Sequence, residues 1–282
     1  MKKKIIFIIL YVLASLPLIF LYILSDFFFL IICYILRYRR NVIMMNLREA
    51  FPEKTEKEIK KIAKSYYRFL CDVMVETVKL FHISDKELRK RVEVINPEIV
   101  NKALIEGKNA VILMGHYGNW EWVQEISRYF ISGVYLASIY HTLTSQFWND
   151  LYLKIRSRWG VNIIPQKKAL RQLIDKSHRP WACGFIADQR TWDRHEDNCT
   201  RFLNHDTYFI YGPEEIGDKL GSEFFYLEMT KIKRGKYRIK FHCLTGEGYD
   251  SPFPRTRQFW HEFEKTIKKD PALWLWSHRR WV

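Results

Sequence analysis

The sequence predicts an α/β fold: a layered domain whose mixed, mostly parallel sheet is flanked by helices, carried on an N-terminal helical membrane anchor. Three observations predict it. From residue 109 onward, short apolar runs alternate with amphipathic stretches, the pattern of parallel strands joined by crossover helices. Two late strand-like runs meet at Arg234-Gly235 and add an antiparallel hairpin. A long uncharged run opens the chain.

The anchor comes first. After Lys2, Lys3 and Lys4, residues 5–24 are uncharged; Ser25 and Asp26 interrupt, and the apolar run resumes to Leu36. About 20 apolar residues cross a bilayer. A cleaved signal peptide has a shorter apolar run and a small-residue site after it, whereas here Arg37, Arg39 and Arg40 follow. Basic clusters at both ends disfavour a lone span, and Ser15-Leu16-Pro17 offers a helix restart. A single span and a helical hairpin both fit residues 1–40, and either one anchors a domain of residues 41–282.

Within that domain, Thr55 and Glu58 form a capping box that opens a long helix to about residue 81. Asp72 and Glu76 lie one turn apart on it, and their spacing assigns them to a solvated edge. Next come a buried strand at 110–115, a helix at 120–130, a strand at 133–140 and a helix ending at Gly160. A short strand at 161–165, a helix at 167–177 and a strand at 181–188 follow. After the hairpin, a last helix is halted by Pro271. There are no repeats and no linker.

A hydrophobic fraction of 48% is enough for one core plus a membrane segment, with no second full domain. The net charge of +15 favours anionic partners: nucleic acid, anionic lipid or a phosphorylated substrate. No nucleic-acid motif accompanies it, so nucleic acid is not expected. Cys33, Cys71, Cys183, Cys199 and Cys243 form no CxxC and no metal spacing, which assigns them to reduced core or membrane positions in a cytosol-facing protein. No metal and no cofactor is expected.

His116 follows the end of the 110–115 strand, where open α/β sheets bind ligands. Gly115 and Gly118 flank it and allow close approach of backbone or ligand. Asn119 suits a helix N-cap, which puts Glu121 in the first turn. An imidazole, a carboxylate to fix its tautomer and a positive helix end would together deprotonate a hydroxyl and stabilise an oxyanion. On spacing alone, a packed turn histidine remains the alternative to a base held by Glu121.

The block HYGNWEW resembles the His-x4-acid block of the glycerolipid-type acyltransferases, and more narrowly that of the bacterial lipid A biosynthesis (lauroyl/myristoyl) acyltransferases. Further blocks follow in that family's order: YRRNVIMMNLREAFPEKTEKEI, FLCD, RSRWG, GFIADQR, FLNHDTYFIYGPEEI and PALWLWSHRRW. The resemblance covers essentially the whole chain. It implies a glycerolipid acyltransferase-like fold, with His116 as general base and Glu121 as its partner. It implies that Arg190 binds anionic substrate, that Asp188 orders the Arg190 loop and that Arg158 is a candidate phosphate contact. Gly118 and Asn119 complete the implied substrate-binding set. Arg279 and Arg280, between Trp276 and Trp281, are assigned instead to stacking on the rings. Glu121 stands where phosphatidate-forming relatives use Asp, their EGTR-type block is missing, and Gly217 falls where Ala is expected. The first two departures favour the lipid A branch.

The implied partners are an acyl carrier protein thioester as donor, an anionic glycolipid as acceptor, and the membrane. The implied location is the bacterial inner membrane, with the catalytic domain facing the cytoplasm. An acyltransferase of the same fold with another lipid acceptor, and a thioesterase using the same His/Glu dyad, stay open as alternatives.

Overall fold

The computed structural model describes residues 2–176 and 179–281; the expected helix end at Ser177 and the domain end at Val282 lie outside the described residues. The N-terminal segment expected to be the anchor is two helices, α1 (Lys2–Ser15) and α2 (Leu18–Leu30), broken at Pro17, with a π-helical turn at Ile31–Ile35. Proline ends a helix because it lacks an N–H and crowds the preceding turn. The stretch Leu18–Ile35 is long and apolar enough to cross a membrane.

α3 (Arg40–Ala50) leads to α4 (Glu56–Lys79), whose Thr55/Glu58 capping box is present as expected. The rest alternates: α5 (Asp85–Arg89), β1 (Val92–Val94), α6 (Glu98–Ile105), β2 (Asn109–Met114), β3 (Tyr135–Tyr140), α7 (Gln146–Arg156), β4 (Asn162–Pro165), α8 (Ala169–Asp175) and β5 (Trp181–Ile186). A small two-stranded sheet follows, β6 (Cys199–Phe202) with β7 (His205–Tyr208), then α9 (Gly212–Lys219). The hairpin β8 (Ser222–Lys233) and β9 (Lys236–Cys243) precedes α10 (Pro254–Lys269). Instead of the helix expected at 120–130, an eight-residue 3₁₀ helix runs Trp122–Tyr129.

Seven strands form one sheet in the order β1-β9-β8-β2-β5-β3-β4. All pairs are parallel except β8–β9. The sheet is therefore mixed and mostly parallel, and its antiparallel part is the late hairpin. Successive residues of β2 face opposite sides: Val111 and Leu113 join one buried cluster, while Ala110, Ile112 and Met114 join the other. This alternation gives a sheet with a core on each face.

The sequence placed Asp72 and Glu76 on a solvated edge; the structure buries them, at 3% and 0% exposure. The N-terminal helices cover them. Ser25 donates to Asp72 (2.7 Å) and Arg234 bridges Asp72 and Asp26. Tyr22 (2.8 Å), Tyr237 (2.9 Å) and Asn119 (2.5 Å) all donate to the Glu76 carboxylate. Lys79 donates to the Ala14 and Leu16 carbonyls at the end of α1, groups that a helix terminus leaves unsatisfied. Helical spacing reveals which face a residue shares, not whether another segment will cover that face. On its outer side α2 exposes Ile19, Phe20, Ile23, Phe27 and Leu30.

Candidate active site

The site forms where β2 and β5 end side by side. Their parallel register pairs Ala110 with Ala182 and Met114 with Ile186. The pairing continues past the strands through the Ala187 N–H to Met114 carbonyl bond (2.9 Å). Two residues further, the same offset brings His116 against Asp188. The His116 backbone N–H donates to Asp188 Oδ2 (2.9 Å), and Nδ1 lies 2.7 Å from Oδ1. A carboxylate only accepts, so Nδ1 carries the proton in that bond. Nε2, across the ring, has the Gln189 amide at 3.5 Å, beyond a normal hydrogen bond. The His116 side chain is 16% exposed and that of Asp188 only 3%.

The C-terminal segment locks the loop. Gly118 N–H donates to the Leu273 carbonyl and Leu275 N–H to the His116 carbonyl. Trp274 Nε1 donates to Asp188 Oδ2 (2.8 Å). Burial alone would raise the Asp188 carboxyl. The His116 charge and the His116 and Trp274 hydrogen bonds outweigh it and hold the carboxyl down at about 2. Asp188 is therefore ionised at neutral pH and stabilises an imidazolium beside it.

The carboxylate paired with His116 is thus Asp188, which corrects the expectation that Glu121 holds the imidazole. Glu121 makes a two-pronged ion pair with Arg156 (2.9 and 2.6 Å) and accepts from Trp120 Nε1 (3.2 Å). It reaches the histidine only through the Trp120 ring, whose centroid lies 5.3 Å from that of His116. The physical reason is the 3₁₀ start of the helix, with Asn119 Oδ1 accepting from Trp122 N–H (3.1 Å).

Other expected residues also sit differently. Gly118 has φ +60° and packs on Met229, whose sulfur a Cβ would meet at 2.8 Å. Asn119 is fully buried between Glu76 and Trp122. Both therefore shape the loop and do not line a substrate path. Arg158 donates to the Leu80 and Ile83 carbonyls and stacks on Trp159, so it braces the end of α4 and its fork is not free for phosphate. Arg190 stacks over Trp192 (4.3 Å) in the loop just beyond Asp188. The backbone N–H groups of His116, Tyr117, Gly118 and Trp122 are all bonded, so none of these four is free to donate to an oxyanion.

Sequence reasoning missed Trp274, Trp120, Gln189 and Arg156. Arg156 shares the RSRWG block with Arg158, and nothing in the block tells which arginine faces inward. Beside Met114 and Trp120 opens an apolar pocket lined by Ile112, Val123, Leu136, Ala182, Gly184 and Ile186 among others. It lies under β2, β5 and β3, walled by the 3₁₀ helix, and reaches the Trp120 ring that touches His116. Such a lining suits an apolar ligand. Among the described residues no group of three or more His, Cys, Asp or Glu side chains is arranged to hold a metal ion.

A histidine–carboxylate pair at the rim of a parallel sheet, beside an apolar cavity, is equipment for acyl chemistry. The comparisons agree with it. The family model for bacterial lipid A biosynthesis acyltransferases matches residues 3–282. A lipid A biosynthesis acyltransferase of Haemophilus influenzae is 21% identical over 243 residues, covering 84% of this chain and 74% of that protein. With the match running from the N-terminal helices to the tryptophan-rich end that holds Asp188 in place, the chain belongs to the bacterial lipid A biosynthesis acyltransferase family.

Proposed function

We propose that this acyltransferase moves a fatty acyl group from an acyl carrier protein thioester to a hydroxyl of a lipid A precursor, the hydroxyl of an existing 3-hydroxyacyl chain. It acts at the cytoplasmic face of the inner membrane. The observation that carries the reading is the His116–Asp188 pair standing beside the apolar cavity.

His116 Nε2 takes the proton of the acceptor hydroxyl, and the oxygen attacks the thioester carbonyl carbon. The resulting tetrahedral intermediate expels the carrier thiolate. The imidazolium returns the proton to that thiolate, leaving an ester, a free thiol and neutral His116. Asp188 holds the tautomer that keeps Nε2 unprotonated and stabilises the transient imidazolium. Base catalysis of this kind contributes about 10²–10⁴-fold; positioning of the two substrates supplies much of the remainder. The acyl chain occupies the cavity under Trp120, and Glu121 with Arg156 holds that ring in place.

The charge and anchor support the same reading. A surplus of +15 attracts both an anionic leaflet and an acidic carrier protein, and the exposed apolar side of α2 suits lipid contact. The test is transfer of labelled acyl groups from carrier protein to the tetra-acylated precursor, together with the whole-cell lipid A mass spectrum with and without this protein. Loss of one acyl chain from lipid A is the expected result. Undiminished transfer by His116→Ala would remove the base from the account.

A further inference from the structure

α2 has two unlike faces. Leu18, Tyr22, Ser25 and Phe29 recur at helical spacing, share one face and are buried. Ile19, Ile23, Phe27 and Leu30 share another face and are exposed. The buried face lies antiparallel along α4. Tyr22 donates to Glu76 (2.8 Å), Ser25 donates to Asp72 (2.7 Å), and Arg68 stacks over the Phe29 ring (4.8 Å). Residue numbers fall on α4 as they rise on α2, so the two helices run side by side.

That seating is incompatible with a span. Leu18–Ile35 is 18 residues, about 27 Å of helix, close to the thickness of a hydrocarbon core, about 30 Å. Upright in a bilayer, it would carry the α4 side chains beside it to the same depths. Among them Arg68 is exposed, and so is Lys64 one turn further along α4. Asp26, midway along the stretch, is exposed and pairs with Arg234 of the β8–β9 turn (2.8 Å), which is itself partly exposed. Charges that face lipid at the bilayer centre are costly. α1 does not cross either, since its 14 residues rise only about 21 Å. The bend between the helices is tied to the end of α4, because Lys79 Nζ donates to the Ala14 and Leu16 carbonyls there (2.8 and 2.7 Å).

We infer that the two N-terminal helices lie in the plane of the membrane, their outer faces entering one leaflet, with both ends of the chain on the same side. The partner is an anionic bilayer surface. Exposed Ile5, Ile8, Ile9 and Val12 of α1 extend the apolar face of α2. Basic residues border that face: three lysines precede it in the sequence, and Arg37, Arg40 and Lys64, all exposed, flank its other end. In this pose the basic groups reach lipid phosphates while the apolar stripe reaches acyl chains, and the Asp26–Arg234 pair stays hydrated at the edge. The same seat is one hydrogen bond from the loop that carries His116, through Glu76 and Asn119 (2.5 Å), so the site stays near the surface from which a lipid acceptor arrives. This deepens the membrane location given under Proposed function and rests on it, and it does not depend on the acyl-transfer step.

The test uses the full chain with an epitope at each end, in inner-membrane vesicles. Protease added to inverted vesicles, which expose the cytoplasmic face, is expected to remove both epitopes, and protease added to sealed right-side-out vesicles to remove neither. Loss of one epitope from each side would establish a span and overturn the inference, as would recovery of the chain in the soluble fraction. Removal of both from the right-side-out vesicles alone would keep the in-plane pose and contradict the cytoplasmic placement. A second measurement asks whether α2 keeps its seat in the membrane. Asp26→Cys, which leaves Arg234 paired with Asp72, is labelled with a benzophenone maleimide and irradiated. An adduct from position 26 to α4 or to the β8–β9 hairpin, identified by mass spectrometry, is expected. Adducts to lipid alone would mean that the helix has left α4, and would overturn the inference even with both epitopes on one side. The expected topology with no acyl transfer to any lipid would keep the pose and sink the reading of the enzyme.

Discussion

Replacing Asp188 with asparagine exchanges one carboxylate oxygen for an NH₂ group at the centre of the site. Oδ2 accepts from two fixed donors, the His116 backbone N–H and the Trp274 indole, so the amide oxygen has to take that place. The NH₂ then faces Nδ1 of His116, where Oδ1 was at 2.7 Å. A donor there forces Nδ1 to accept, which moves the ring proton to Nε2 and leaves no base for the acceptor hydroxyl. The same exchange in a serine-protease triad costs about 10⁴ in kcat, or about 5 kcal/mol at 1.36 kcal/mol per tenfold. Stability changes as well. The Asp188 carboxyl is depressed from 3.8 to about 2, worth about 2 kcal/mol by linkage. A depressed acid contributes that stability above its unfolded pKa and loses it as pH falls through the folded one. The gap in stability between wild type and Asp188→Asn is therefore full at neutral pH and closes from about pH 4 downward. Steady-state transfer of labelled acyl groups at neutral pH gives kcat and both KM values; denaturant titrations from pH 7 to pH 3 give the stability. Asp188→Asn is expected to lose about 10³–10⁴ in kcat with near-normal KM. A folded variant within tenfold of the wild-type kcat would show that His116 does not depend on this carboxylate.

Glu121→Gln strands the largely buried Arg156 and is expected to cost about 3 kcal/mol, read as a fall in Tm with a partial loss of activity through a loosened Trp120. Removing both charges in Glu121→Gln with Arg156→Met is expected to recover much of the stability; no recovery would mean that the pair is not what Glu121 supplies. Glu76 is pushed up to about 7, chiefly by burial, against the hydrogen bonds from Tyr22, Tyr237 and Asn119. Its folded pKa exceeds the unfolded 4.5, so its contribution is full below about pH 4.5 and lost as pH rises through 7. Glu76→Gln leaves a donor unsatisfied, lowers stability by about 1–3 kcal/mol and flattens the pH dependence between 5 and 8, which thermal melts across that range would show. Gly184→Leu places a branched side chain into the apolar cavity, where even a Cβ meets Met114 at 3.1 Å. Competition between carrier-bound acyl chains of different lengths should then shift toward shorter ones, and an unchanged preference would put the chain elsewhere.

Much of the architecture is local and could be read along the chain. Fully apolar runs such as residues 110–114 form strands because both faces of a parallel sheet are buried. The Thr55/Glu58 box starts a helix because its partners are three residues apart. His116 stood out because its place after a strand and between glycines is itself a local property. Its partner was not local. The His-x4-Glu spacing pointed to Glu121, yet that side chain turned to Arg156, 35 positions away. Asp188, assigned only to ordering its loop, lies 72 positions from the histidine.

The sequence by itself determined the sheet-and-helix layout, the apolar N-terminal run, the basic charge and the histidine at the strand end, since each depends on near neighbours or on composition. Tertiary structure alone decided that Asp188 meets His116, that the N-terminal helices seal Glu76, and that Arg280 is buried. Those facts come from strand register and from segments crossing far apart in the chain, and a register between two parallel strands is set by the packing of both sheet faces together rather than by either strand.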